Sequence, residues 1–130
     1  MVKTFSKTYK VPLYDCTLCV KIISSEQEYI KFRDKHMLEE HHEDNDWESF
    51  SALSLEGRNN NFFVILKEES DDKDIVHESV HCANHILSTI GATMDFDNDE
   101  PQAYLVEWAY TKITNTLALF RGNKKKDESI

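Results

Sequence analysis

The sequence predicts an α+β domain, with a small antiparallel sheet of N-terminal strands and a β-hairpin packed on two C-terminal helices. Three observations point there. Apolar, β-branched runs fall in the first half of the chain, as CTLCVKII (16–23) and NFFVILKE (61–68). Long stretches with apolar residues at helical spacing come later, two of them, separated by Gly91 and a polar loop. The chain has 130 residues, which suits one domain with a modest core.

In chain order, residues 1–14 alternate weakly and read as a ragged first strand, ended or kept at an edge by Pro12. Residues 16–23 form a second strand. SSEQEYIKFRDKHM reads as a short helix with Ser24 or Ser25 as its cap and Tyr29, Ile30, Phe32 and Met37 as its apolar stripe. EEHHEDND (39–46) is too polar to bury and reads as a solvated loop. WESFSALSL (47–55) and NFFVILKE flank the turn signal EGRNNN, which makes them a hairpin. Asp71 or Asp72 caps the next helix, which carries Ile75, Val76, Val80, Ala83, Ile86, Leu87 and Ile90 and stops at Gly91. The last helix runs from about Glu100 to Phe120 on a stripe of Leu105, Trp108, Ala109, Ile113 and Leu117. The domain is expected to span 1–121, with 122–130 as a disordered tail.

Composition narrows the function. Hydrophobic residues are 40% of the chain, too many for wholesale disorder, and the net charge of −9 argues against binding a phosphate backbone. Lys124–Lys126 make too short a basic run to alter that. No secretory leader and no membrane-length apolar run is seen, so a cytoplasmic protein with neither nucleic-acid nor membrane partners is expected. Cys16, Cys19 and Cys82 are an odd set, which fits a reducing compartment better than a disulfide framework.

The chemistry concentrates in DIVHESVHCANH (74–85). His77-Glu78-Ser79-Val80-His81 matches H-E-x-x-H. On a helix, His77 and His81 lie one turn apart on one face, so both imidazoles can take corners of a zinc tetrahedron. Glu78 sits beside them as a general base for a water whose pKa zinc lowers to about 7. Val76, Val80, Ala83 and Leu87 are expected to pack the opposite face. His85 makes a poor third ligand, because positions i, i+4 and i+8 of a continuous helix span about 12 Å. Glu100, in the first turn of the last helix beside Pro101, is the better candidate. Asp99 is next in line, with capping as its simpler role. Tyr104 is the nearest candidate oxyanion donor, although packing between the helices suits it better. Cys16 and Cys19 have zinc-knuckle spacing but lack a second pair, and a strand sends them to opposite faces. His36, His41 and His42 lie in or near the polar loop and read as solvated.

The run IVHESVHCANHILSTIG followed by NDEPQAYLVEW resembles small zincin-like proteins of the gluzincin type common in bacteriophage genomes, and more distantly ImmA/IrrE-type metallopeptidases. The resemblance covers residues 74–113. It implies zinc ligands at His77, His81 and Glu100, with Glu78 as general base and acid, in a peptidase acting on a protein or peptide inside the bacterial host. By the same analogy FFVILKE would be the edge strand that holds an extended substrate. The alternative is a non-catalytic zinc-binding interaction domain, such as a phage modulator of a host protein.

Overall fold

The computed structural model describes residues 4–37 and 46–128, and it is an α+β domain. Strands β1 (Thr4–Lys10), β2 (Thr17–Ile23), β3 (Ala52–Glu56) and β4 (Asn61–Lys67) form one sheet in the order β1-β2-β4-β3. Helix α1 (Glu26–His36) follows β2, and α2 (Asp72–Thr89) and α3 (Glu100–Glu128) close the chain. Residues 39–45 of the expected loop, with His41 and His42, lie outside the described residues. Among the described residues, no helix is long and apolar enough to cross a membrane.

The sheet is mixed, not antiparallel as expected. β1–β2 and β3–β4 are antiparallel pairs, but β2 and β4 run parallel with Thr17 opposite Asn61 and Ile23 opposite Lys67. The physical reason lies in β4. Phe62, Phe63, Val64, Ile65 and Leu66 are all buried, so this strand needs cover on both faces and a partner on both edges. That puts it in the centre. The edge beside it falls to β3, whose ALSLE is only half apolar.

Alternation then divides the core. Leu18, Val20 and Ile22 of β2 and Phe62, Val64 and Leu66 of β4 face α2 and α3. Ile23, Phe63 and Ile65 face the other side, where Tyr29 and Phe32 of α1 cover them. Each such aliphatic side chain, fully buried, contributes about 1.5–3 kcal/mol. Cys16 joins the first layer and Cys19 borders the second, so the expected opposite faces are found. The start of the expected WESFSALSL strand is instead a 3₁₀ turn, Trp47–Ser49. Lys67 reaches back to hydrogen-bond the Trp47 carbonyl and lies over the Trp47 and Phe50 rings, at 4.3 and 4.8 Å.

The helix boundaries follow local chemistry. Ser25 caps α1 by accepting from the Glu28 amide. Asp71 caps α2 in a reciprocal box with Asp74, at 3.1 and 3.0 Å. α2 ends in a Schellman motif: Ala92 N–H donates to the Leu87 carbonyl and Gly91 N–H to that of Ser88. Gly91 itself has φ +82°, a left-handed conformation that glycine adopts without strain. α3 runs past the expected end at Phe120 as far as Glu128. Its extra turns are anchored where Arg121 donates to the Glu68 and Ser70 carbonyls and Lys124 pairs with Glu68 at 2.7 Å.

Candidate functional site

α2 presents three faces with different fates. Ile75, Glu78, Ser79, Cys82, Ala83 and Ile86 are buried. His77 and His81 are exposed on one flank, one turn apart. Of the expected packing face, Ala83 is buried and Leu87 packs against the core, but Val76 and Val80 are 50% and 37% exposed. α2 lies on the sheet through Ile75, Glu78, Cys82 and Ile86, which rotates the two valines out toward the gap before α3.

The two histidines meet. Their Nε2 atoms are 3.1 Å apart and the rings stand edge to face at 74°. Glu78 lies between them and the sheet, its carboxylate 4.0 Å from His77 Nε2 while the residue is only 7% exposed. Burial pushes its pKa up to about 7, against the pull of His77 and of the Ser54 amide that donates to the carboxylate. Ser54 belongs to β3, so the edge strand lies directly beside this carboxyl group. His85, on the next turn, is half-buried, and burial holds its pKa below the usual histidine value. The neighbouring Glu56 and the Ser54 carbonyl oppose that shift.

Other candidates stand further apart. Glu100 opens α3 and is exposed, as is Asp99 before it. Among the described residues, no three His, Cys, Asp or Glu side chains converge as a ready metal site. His77 and His81 are therefore brought together, while Glu100 is not gathered with them into such a group. Asp99 borders the gap between α2 and α3 next to Val80 and Asn84. Gln102 donates to Asn84 at 2.8 Å, which ties the first turns of α3 to α2. Tyr104 is 67% exposed instead of packed between the helices. His36 lies on α1, across the sheet from this site, and is half-buried with its ring tilted against Phe32 and Phe63, not solvated as expected.

FFVILKE does not line the site. β4 is paired on both sides, so it has no free edge to offer a peptide, and β3 takes that position. Sequence reasoning also missed Ser54, Asn84 and Gln102. Nothing in their local pattern marks them, since each matters only through a partner on another element.

No protein-family model matches the chain, and searches of curated proteins and of solved structures found no match.

Proposed function

We propose that this chain is a zinc-dependent metallopeptidase of the small zincin-like type, hydrolysing a peptide bond in a protein or peptide substrate. One observation carries the reading: the Nε2 atoms of His77 and His81 approach to 3.1 Å beside the buried carboxyl group of Glu78. Two imidazole nitrogens on one tetrahedral zinc, with Zn–N bonds of about 2.0–2.1 Å, stand about 3.4 Å apart, so this pair fits such an ion. Imidazole and carboxylate donors suit zinc as well. His77 and His81 would hold it, with Glu100 as third ligand and Asp99 as the alternative. When bound, zinc supplies Lewis acidity toward a carbonyl and a nucleophilic water at neutral pH.

The chain's own residues do the rest. Glu78 takes the proton of the attacking water as the C–O bond forms and the carbonyl oxygen becomes an oxyanion; it then gives that proton to the amide nitrogen, and the C–N bond breaks as the carbonyl re-forms and the amine leaves. β3, the terminal strand, replaces β4 as the candidate for strand addition by an extended peptide, which at Ser54 would displace the contacts of its amide with Glu78 and of its carbonyl with His85. Tyr104 is the candidate donor to the developing oxyanion. The cytoplasm is the compartment this reading expects.

The test combines metal content with peptide cleavage. Wild type should bind one zinc and cleave. Glu78→Gln should keep the metal and lose at least about 10²-fold in turnover, the range for a lost general base. Glu100→Ala should lose zinc affinity. Full affinity in Glu100→Ala with loss in Asp99→Ala would move the third ligand to Asp99. Zinc binding without any turnover would instead favour the interaction domain.

A further inference from the structure

We propose that the trough between α2 and α3 is a side-chain subsite for lysine or arginine, so that the peptide selected here carries a long basic residue next to the bond presented to Glu78. The cleavage part rests on the peptidase reading; the binding part does not. The trough begins at the histidines. Val76 and Val80 line both the hollow shared with His77 and His81 and a second one, of about 550 Å³, that continues toward α3. Its far bank is Val106 and Tyr110, and Asp99 and Glu107 stand on its rim. Among the described residues, the only lysine or arginine lining either hollow is Lys73, at the histidine end, where Asp72 stands beside it.

This combination of an apolar floor and an acidic rim selects the occupant. A lysine or arginine stem can cover the valine methyls while its charged head stays at the wet rim. There the head meets two carboxylates and, at Tyr110, an aromatic ring that also attracts cations. A glutamate in the same place would face those carboxylates with like charge. A norleucine would fill the floor and leave the rim unanswered. The exposure of Val76 and Val80, 50% and 37%, gives such a stem apolar surface to bury.

The experiment uses the full chain and three capped pentapeptides that differ only at the central residue: lysine, norleucine or glutamate. Methyl NMR shifts of Val76, Val80 and Val106 report occupancy, with and without added zinc. The lysine peptide should bind at least about fivefold more tightly than either other peptide at low salt, and salt should weaken it. Glu107→Lys should remove that preference and favour the glutamate peptide; Glu107→Gln should lower it without reversing it. Equal binding of lysine and norleucine overturns the proposal. So does the absence of shifts at these valines with millimolar lysine peptide. If the lysine peptide binds here but is never cleaved with zinc present, the peptidase reading fails and the subsite stands. If cleavage occurs with no basic preference and Glu107→Lys leaves it unchanged, the subsite fails and the peptidase stands.

Discussion

Burial against β3 pushes the Glu78 pKa up to about 7 from 4.5, so the neutral acid is the preferred form in the folded chain only below that pH. A carboxyl group whose folded pKa is raised contributes most stability below its unfolded value and loses it as pH rises through the folded value. The window is therefore about pH 4.5 to 7. Burial lowers the pKa of His36 and His85 from the ordinary 6.5, so they act in the opposite sense just below that pH. The comparison that isolates Glu78 is with Glu78→Gln, in chelator-treated protein. The variant should match wild type near pH 4 and exceed it at pH 8 by a few degrees in Tm, the scale of about 1 kcal/mol in a domain of this size. A Tm difference that does not change with pH would show that folding leaves the Glu78 pKa unshifted. H-E-x-x-H was legible at this scale, because helical spacing alone brings His77 and His81 together. The burial of Glu78 was not, since it depends on Ser54 from another element.

At the scale of the element, the ends of α2 were readable and its packing face was not. The Asp71 cap and the Gly91 stop are local backbone chemistry, complete within a few residues of sequence. Gly91 gives a direct test. A Cβ added there meets nothing within 4 Å, so any effect of Gly91→Ala comes from its φ of +82°. The variant should lose about 1 kcal/mol, read as a lower urea midpoint with an unchanged m-value. An unchanged midpoint would rule out the left-handed stop. The packing face differs because α2 carries apolar residues on both of its candidate sides, with Ile75, Cys82 and Ile86 on one and Val76, Val80 and Leu87 on the other. Periodicity cannot rank two such stripes; contact with the sheet does. β4 shows the converse, since FFVIL held the signal for a central strand in its unbroken apolarity, and reading it as half of a hairpin overlooked its need for two covered faces.

Across the whole molecule, the three thiols report how closed the fold is. Cys16 and Cys82 are buried together in the layer between the sheet and α2–α3, and burial pushes the Cys82 pKa up to about 12. Cys19 is only partly buried. At pH 8 a thiol reagent should therefore label one cysteine of the folded chain readily, and Cys82 only at the rate of global unfolding. Fast labelling of all three would mean that this layer opens easily. The α+β class, the order of the elements, the caps of α1 and α2 and the histidine pair follow from the sequence itself, because each depends on residues within a turn or two of one another. Tertiary structure decided the rest: that β2 and β4 pair in parallel, that β3 holds the edge, that Glu78 is buried, and that Val76 and Val80 border an open trough. Those features are set by competition among elements for two faces of one sheet, and that competition is settled only when every apolar face is placed at once.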